Sequence, residues 1–386
     1  MLQSPPPPSS RDIVCFANDW AGDPLSKKHV MRRLAEKHRV LWVDSLGNRV
    51  PRMSRQDARR ILAKLERFTR GLKQVERNIW VLSPLALPIY DSRLASGINA
   101  VVLGATVRAA MAWLGFRRVI NYTFVPASAW VAGRLGEERV VYHCVDEYAS
   151  FAGAGAQIAA LEERLLKRAD LVITCSQPLC ERKRAINPRT ILVRHGVDHA
   201  HFARALDDET PIPADLAALP RPIIGFHGLV AEWIDLRLLH RVAVAYPHAS
   251  VAVVGEVRVP LGALEGLPNV HFLGRRPYET LPGYCRGFDV ALLPFAIDDL
   301  TVHANPLKLR EYLSAGLPVV ATDIPEARTL EPLVRVASDD AEFVRIVGEQ
   351  LASPLTPEQR RGRSAAMESE SWDARVEEIA GHLSTL

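Results

Sequence analysis

The chain has 386 residues, of which 48% are hydrophobic and 24% are charged. This length exceeds what one hydrophobic core usually supports, so two globular domains are expected and disorder of the whole chain is excluded. The formal charge of +4 and the isoelectric point near 8.8 are too weakly basic to indicate nucleic acid as a partner. Five cysteines without metal-site spacing, mostly within apolar runs, indicate reduced, buried thiols and a cytoplasmic protein.

The chain opens with MLQSPPPPSSR, which is rich in Pro and Ser and has no apolar core. We predict a disordered tail over 1–11, and neither a signal peptide nor a membrane anchor. The longest apolar stretch, 98–120, is interrupted by one Asn and three Arg. A spanning helix needs about 20 nearly uninterrupted apolar residues, so this stretch is not expected to cross a membrane.

The segment 52–77 holds nine Lys or Arg against three Asp or Glu, a balance of +6. Its apolar residues, among them Leu65, Phe68, Leu72 and Val75, fall near helical spacing. One interpretation is a basic amphipathic helix lying peripherally on the inner, anionic face of the cell membrane. The alternative is an ordinary helix that packs on the sheet while its arginines face water.

Short β-branched runs alternate with helical patterns along the chain, beginning with DIVCFA and, after an interruption rich in Pro and acid, again with IIGFHG. This alternation predicts an α/β protein with two doubly wound parallel sheets facing each other across a cleft. Trp372, Val376, Ile379 and Leu383 fall on one face of a final helix. The predicted division is an N-terminal Rossmann-like domain over 12–205, a linker over 206–222, a C-terminal Rossmann-like domain over 223–365, and a C-terminal helix over 366–386 packing back toward the first domain.

The segment NPLKLREYLSAGLPVVATD, residues 305–323, has the signals of a helix with clear ends. Asn305 suits the N-cap, Pro306 the first helical position, and Gly316 the left-handed residue after the last turn. Lys308 and Glu311 share one face of this helix. They favour a diphosphate and ribose site at the helix N-terminus, or else form a surface ion pair worth about 0.3–0.5 kcal/mol.

This segment resembles the nucleotide-sugar segment of GT-B glycosyltransferases, in which a Glu, a Gly five residues later and Pro-Val-Val contact the donor ribose. RADLVITCSQPL at 168–179, ILVRHGVDHAHF at 191–202 and GRRPYETLPGYCRGFDVALLP at 274–294 resemble the same superfamily in the same order. GFHGLVAEWIDLRLL at 225–239 is similar to bacterial envelope and exopolysaccharide glycosyltransferases of group 1 type. The resemblance implies two domains, a nucleotide-sugar donor and a metal-independent hexosyltransferase reaction.

Two departures from the family are visible. Many retaining members carry a first Glu eight residues before the second, and His303 stands there in this chain. The basic loop after the first strand of the second domain is replaced by HGLVAEW. Lys308 is then expected to carry the phosphate charge, in a pattern similar to the glucuronosyltransferases of xanthan assembly.

In RVVYHCVDEYASF, Asp146 stands at the carboxyl end of an apolar strand. One carboxylate within hydrogen-bond reach of an acceptor hydroxyl suits transfer with inversion, without a covalent intermediate. The resemblance places Asp146, rather than Glu147, at the base position. The alternative role for Asp146 is to cap the next helix.

The remaining candidates come from loops after strands and from the resemblance. Asp298 and Asp299 lack the spaced ligands that a cation needs, so no metal site is predicted. The donor-side candidates are Pro306, Leu307, His227, Gly228, Arg275, Arg276 and His303, and the acceptor or cleft candidates are Asp19, His29, His195 and Gly196. Capping, turn or solvated roles are the alternatives for these residues.

The sequence thus predicts a cytoplasmic glycosyltransferase that moves a sugar from a nucleotide diphosphate sugar, of the UDP class, to a saccharide or lipid-linked acceptor. No other cofactor is expected. The alternatives are a nucleotide-sugar epimerase of the same fold and a non-catalytic nucleotide- or sugar-binding module. CFANDWAGD replaces the G-x-G-x-x-G that a dinucleotide oxidoreductase would need, and the basic segment has too few aromatic residues for nucleic acid.

Overall fold

In the computed structural model, residues 11–44, 71–84, 93–151 and 156–386 are described. The chain forms two compact units. Unit 1 comprises the residues up to Arg194 together with Val376–Leu386, and unit 2 comprises His195–Arg375. The sequence placed the first domain's end at residue 205, and the unit boundary lies eleven residues earlier.

Unit 1 is built on a sheet with the strand order β3-β4-β2-β1-β5-β6-β7-β8. All neighbouring strands are parallel except β3 and β4. The order reverses between β1 and β5, as in a doubly wound fold. The strands are β1 Ile13–Ala17, β2 Val40–Asp44, β3 Lys73–Glu76, β4 Ile79–Leu82, β5 Ile120–Thr123, β6 Arg139–Cys144, β7 Leu171–Thr174 and β8 Thr190–Leu192.

The helices of unit 1 cover the faces of this sheet. β1, β2 and β5 are buried along their whole length, and β1 is accordingly an unbroken apolar run. The helices are α1 Ser26–Leu34, α2 Arg93–Trp113, α3 Ala156–Arg168 and α4 Gln177–Arg184.

Unit 2 carries a six-stranded, all-parallel sheet with the order β11-β10-β9-β12-β13-β14. Its order reverses between β9 and β12, next to the first strand of the unit. The strands are β9 Ile223–His227, β10 Ser250–Val254, β11 Val270–Phe272, β12 Val290–Leu293, β13 Val319–Thr322 and β14 Val334–Ala337.

The helices of unit 2 complete its core. The last helix, Trp372–Ser384, crosses the unit boundary and buries Trp372, Val376, Ile379 and Leu383, as its apolar spacing predicts. The helices are α5 His199–Ala203, α6 Ala214–Ala217, α7 Leu236–Ala245, α8 Leu281–Gly287, α9 Asp299–Val302, α10 Leu307–Ser314, α11 Pro325–Arg328, α12 Asp340–Ala352, α13 Pro357–Ala365 and α14 Trp372–Ser384.

The prediction of two parallel-sheet α/β domains is confirmed, and the five cysteines are buried and form no disulfide with one another. The helical interpretation of 52–77 is wrong at its end, because Lys73–Glu76 is a strand that runs antiparallel to β4. A turn at Asn78, whose φ is 63°, closes this hairpin, and pairing with β4 outweighs the helical spacing of the apolar residues. Residues 52–70 of the predicted membrane segment, like the tail over 1–10, lie outside the described residues.

Candidate functional site

Helix α10 begins after Pro306 and ends in a left-handed glycine. Gly316 has φ +72°, and the amides of Gly316 and Leu317 donate to the carbonyls of Leu313 and Tyr312, which is a Schellman motif. The predicted C-terminus is therefore confirmed. The predicted cap at Asn305 is wrong, because Pro306 occupies the N-cap position without a side-chain cap.

The side chain of Asn305 accepts a hydrogen bond from the guanidinium of Arg310 instead. Arg310 is 1% exposed and donates to Asn305 Oδ1 at 2.8 Å, Glu326 Oε1 at 3.0 Å and Glu370 Oε2 at 3.1 Å. A buried guanidinium without acceptors costs more than an uncapped amide at a helix end, so Arg310 takes the Asn305 oxygen. This network ties α10 to α11 and to the segment before α14.

Lys308 and Glu311 lie on the part of α10 that faces the end of β9. Both side chains are half-buried. Lys308 forms no ion pair within 4.0 Å among the described residues, so the expected alternative of a surface Lys–Glu pair does not describe it. Its side chain lies over Gly228, where a Cβ would come 2.0 Å from Cε and 2.6 Å from Nζ of Lys308.

Gly228 therefore has two reasons to be glycine. Its φ is +133°, a region that side chains disfavour, and a side chain there would occupy the space of Lys308. A Cβ on Gly255 would in turn lie 1.8 Å from the Gly228 carbonyl oxygen. The turn after β9 thus places backbone atoms that carry no side chain against Lys308.

His227, the last residue of β9, is enclosed between two aromatic rings. Its ring stacks 6.0 Å from Phe202 and meets Tyr312 edge-on at 4.7 Å, while its backbone amide donates to the Tyr312 hydroxyl at 2.8 Å. The Nε2 atom lies 3.7 Å from Glu311 Oε2. Burial, reinforced by the charge of Lys308, lowers the pKa of His227 to about 3, so the imidazole is neutral at ordinary pH.

Partial burial shifts the pKa values of both charged groups on α10, and the charge of each group opposes the shift of the other. Burial raises the pKa of Glu311 to about 7, although the charge of Lys308 opposes this. Burial also lowers the pKa of Lys308, and Glu311 opposes that shift. Among the described residues, Lys308 has no ion-pair partner and Glu311 lies beside the neutral His227, so they can accept an anion and a pair of hydroxyl groups respectively.

His195 and Gly196 contact the elements around α10. The Nδ1 of His195 is 3.0 Å from the carbonyl oxygen of Asn305. A Cβ on Gly196 would lie 2.7 Å from the backbone nitrogen of Trp372, beside the bridge between Val197 and Ser371. These contacts explain why the segment after β8 groups with unit 2 rather than with the first domain.

The other donor-side candidates have diverse surroundings. His303 is buried, with Nδ1 2.6 Å from the carbonyl oxygen of Asp299. Arg275 is exposed. The guanidinium of Arg276 binds Asp215 Oδ2 at 2.7 Å and the Tyr284 hydroxyl at 2.8 Å, so it supports the loop before α8.

Several candidates lie at helix starts. Pro306 is buried and Leu307 half-buried where α10 begins. Asp298 caps α9 by accepting from the Thr301 amide at 2.9 Å. Among the described residues, no group of three or more His, Cys, Asp and Glu has an arrangement suited to a metal ion. Within the same ranges, no helix is both long and apolar enough to span a bilayer.

Unit 1 holds a second group of candidates, at the carboxyl end of β6. Glu147 is buried and paired, at 2.9 Å from Lys183 Nζ and 3.3 Å from Arg182 Nη1. Asp146 is half-buried and has no cation within 4.0 Å among the described residues. Burial raises the pKa of Asp146 to about 6, while the charge of Lys27 works in the opposite direction.

Lys27 is a residue that the sequence analysis missed. It lies in α1, is 8% exposed, and donates to Asn18 Oδ1 at 3.1 Å and to the Tyr148 hydroxyl at 3.2 Å. The Tyr148 hydroxyl donates to the Phe124 carbonyl at 2.6 Å. Burial lowers the pKa of Lys27, and Asp146 is the first of the charges that oppose this. The sequence signal that could have identified Lys27 was its position in SKKH, on the inner face of the helix that follows β1.

The two acceptor-side candidates of this region lie in the loop before α1 and in α1 itself. Asp19 is half-buried, and its carbonyl accepts from the Gly22 amide at 3.2 Å. His29 is buried in α1, with Nδ1 3.4 Å from Arg33 Nη1.

Part of the chain matches a known protein family and a curated protein. Residues 221–352 match the family described as Glycosyl transferases group 1. The Bacillus subtilis protein TuaH, named for glycosyl transfer in teichuronic acid biosynthesis, is 25% identical over 234 residues. That match covers 56% of this chain and 58% of TuaH, so it spans little more than half of the relative.

Solved structures of similar fold cover nearly the whole chain. Sucrose-phosphate synthase from Thermosynechococcus elongatus has a TM-score of 0.70 at 18% identity, covering 97% of this chain and 99% of that one. Anabaena HepE in complex with UDP and glucose has a TM-score of 0.67 at 15% identity, covering 98% and 100%. The trehalose-6-phosphate protein from E. coli, bound with UDP-2-fluoro glucose, has a TM-score of 0.68 at 14% identity, covering 98% and 99%.

Residues 221–352 therefore match a glycosyltransferase group 1 domain, and the two-sheet architecture is the GT-B fold of the solved structures. The predicted fold is confirmed, and the predicted resemblance to group 1 glycosyltransferases is confirmed over residues 221–352. The roles of individual site residues stay predictions.

Proposed function

We propose that the protein transfers a sugar from a UDP-sugar to a hydroxyl group of a saccharide or lipid-linked acceptor. The observation that carries this proposal is Lys308, which has no ion-pair partner in the described parts of the chain and lies over Gly228, one helical turn from Glu311. A lysine, the N-terminus of α10 and bare backbone together suit a diphosphate. Glu311 suits the ribose hydroxyls in its ionised form, which only accepts hydrogen bonds.

The proposed base is Asp146. Its neighbour Glu147 is committed to an ion pair with Lys183, whereas the Asp146 carboxylate has no such partner among the described residues. A pKa of about 6 leaves Asp146 ionised at neutral pH and still able to accept a proton. One carboxylate in this role favours inversion.

In the proposed reaction, the acceptor oxygen forms a bond to the anomeric carbon as the bond from that carbon to the diphosphate oxygen breaks. The acceptor proton passes to Asp146, and UDP leaves with its negative charge stabilised by Lys308 and the amides at the start of α10. The neutral His227 beside Glu311 adds no positive charge to the donor site.

The names of the similar proteins support the substrate classes. HepE is recorded with UDP and glucose, and the E. coli protein with a UDP-sugar analogue, which favours a uridine nucleotide here. TuaH is named for teichuronic acid biosynthesis, which favours an envelope polysaccharide or its lipid-linked precursor as acceptor. Such acceptors would bring the protein to the cytoplasmic face of a membrane.

Two variants test the division of roles. Asp146→Asn is expected to bind UDP with unchanged affinity while transfer falls by about 10²–10⁴, the usual contribution of a general base. Lys308→Met is expected to weaken UDP binding by about ten- to a hundredfold, since hydrogen bonds to charged groups contribute about 1.5–3 kcal/mol. Calorimetry with UDP and release of UDP from UDP-sugars in the presence of saccharide acceptors measure the two effects.

Unimpaired transfer by Asp146→Asn would remove Asp146 as the base. UDP affinity unchanged in Lys308→Met would contradict the proposed donor site. A sugar epimer formed from the donor alone would replace the transferase proposal with an epimerase.

A further inference from the structure

Helix α2 of unit 1 exposes a continuous apolar stripe. The side chains of Val101 and Trp113 are 69% and 75% exposed, and Ile98 and Val102 are 44% and 42% exposed. The exposed alanines at 105, 109 and 112 continue the stripe at helical spacing. At 21 residues the helix is about 32 Å long, so the stripe runs along much of one side of unit 1.

The opposite face of α2 is already used for packing. Leu103, Val107, Ala110 and Met111 are buried. The helix is therefore apolar on both sides, although a surface helix usually turns polar residues to water. In the described parts of the chain, the other exposed large apolar side chains are scattered singly, at Leu25, Ile186, Val244 and Ile297. Contiguous exposure of this kind marks an interaction surface.

The charges around the stripe indicate what covers it. From Arg93 to Arg118 the sequence contains four arginines and no acidic residue. Arg108, Arg117 and Arg118 are exposed, and within the described ranges only Arg118 has a carboxylate nearby, at 3.3 Å from Glu138 Oε1. An apolar stripe with arginines beside it matches the interface of an anionic bilayer, where apolar side chains insert and basic groups meet headgroups.

The same charges disfavour two other occupants. The chain's own segment 52–77 has a balance of +6 and would bring further positive charge to the arginines. A second copy of α2 would bring the same arginines together. Arg108 in the middle of the helix also fits a helix lying in the interface plane rather than crossing the bilayer.

We propose that α2 is a membrane-docking element that lies along an anionic lipid surface and inserts Ile98, Val101, Val102 and Trp113. This surface goes beyond the proposed transfer reaction, because it is built from unit 1 alone and includes none of the residues assigned to donor or base. It gives the enzyme a way to reach lipid-linked substrates.

A dye on α2 tests the insertion directly. The five native cysteines are buried, so Val101→Cys can be labelled selectively with an environment-sensitive fluorophore. Vesicles of phosphatidylcholine with phosphatidylglycerol are expected to shift its emission to the blue at low salt, and phosphatidylcholine alone should do so much less. The matched control is Val244→Cys, whose valine is 56% exposed on α7 of unit 2 and should report no insertion.

Cosedimentation with the same vesicles measures the contribution of the stripe. The double variant Val101→Asp, Trp113→Asp is expected to bind at least about tenfold more weakly, because two inserted apolar side chains are replaced by charges. Val244→Asp should bind like the unchanged protein. UDP affinity, measured on every variant, reports whether the fold and the donor site are intact.

Three outcomes would overturn the proposal. If vesicles did not shift the emission of the dye and the double variant cosedimented like the unchanged protein, lipid binding would belong to another segment. A dye that is shielded before lipid is added would show that the chain itself covers the stripe. Emission that depends on protein concentration without lipid would show pairing with a second copy. Each is independent of whether the protein transfers sugar.

Discussion

Asp146 and Glu147 are adjacent carboxylates with opposite surroundings. Lys183 neutralises Glu147 with two contacts of 2.9 Å and extends to Glu162 at the same distance. Breaking such a buried pair would cost about 3–5 kcal/mol, so Glu147 is bound to a structural role. Asp146 is influenced by the more distant Lys27, which Asn18 and Tyr148 hold in place.

The influence of Lys27 predicts a change in the pH profile. Its positive charge favours the ionised form of Asp146, so Lys27→Met should raise the pKa of Asp146 above about 6. A base must be ionised to act, so the acidic limb of kcat/KM should move to higher pH, with activity recovering at alkaline pH. The measurement is the pH dependence of UDP release.

Lys28→Met is the matched control, since Lys28 is the next residue and its amine donates to the Gly22 carbonyl at 2.6 Å. Its acidic limb should stay in place. If Lys27→Met lowered the rate equally at every pH, Lys27 would be a packing residue only.

At the scale of elements, the turn after β9 and the first two turns of α10 form the donor candidate together. Arg310 anchors α10 through Asn305, Glu326 and Glu370. Tyr312 anchors the same helix to β9 through the amide of His227. These contacts keep the half-buried Lys308 and Glu311 at the carboxyl end of the strand, where ligands of doubly wound sheets bind.

This arrangement predicts that Gly228→Ala weakens UDP binding by about tenfold or more. The new Cβ would lie where Lys308 Cε now packs, and the flexible lysine would move aside rather than block folding. The positive φ adds a cost in stability of about 1 kcal/mol. Calorimetry gives the affinity and thermal unfolding gives the stability.

Gly262→Ala is the control for the stability cost of placing a side chain at a positive φ. Gly262 also has a positive φ, +57°, but a Cβ there would meet no atom within 4 Å. It should lose stability without losing UDP affinity. Equal UDP affinities in the two variants would show that Lys308 does not need the space over residue 228.

At the scale of the molecule, each unit has its own doubly wound sheet and its own point of strand-order reversal. Unit 2 has His227 and Gly228 at this point, and unit 1 has Asn18 directly after β1. The chain passes between the units after Arg194 and again after Arg375. The proposed donor and base residues thus belong to different units.

Hydrogen exchange on the whole protein can locate the nucleotide. UDP is expected to slow amide exchange in peptides that contain the turn after β9 and the start of α10, because it would bind their amides and rigidify both. Peptides from α2 should exchange as before and serve as the internal control. Unchanged exchange at both unit 2 segments, at saturating UDP, would contradict the assignment of the donor site.

The sequence by itself determined most of the strands, the left-handed glycine that ends α10 and the resemblance to group 1 glycosyltransferases. Each of these depends on local patterns: apolar runs with β-branched residues, a glycine that must adopt positive φ, and short motifs around Glu311 and Gly316. Each of these signals lies within a few consecutive residues, so it can be recognised without knowing what packs against them. The candidate pair of Lys308 and Glu311 was found in the same way, from helical spacing.

The tertiary structure alone decided which partners those residues have. Asn305 was expected to cap a helix and instead serves Arg310, because the cost of a buried guanidinium depends on distant Glu326 and Glu370. Lys73–Glu76 became a strand because β4 lies beside it. Lys27 lies more than a hundred residues before Asp146 in the sequence, and the fold brings it close enough to affect the pKa of Asp146. Burial and charge are properties of the assembled chain, and no local pattern contains them.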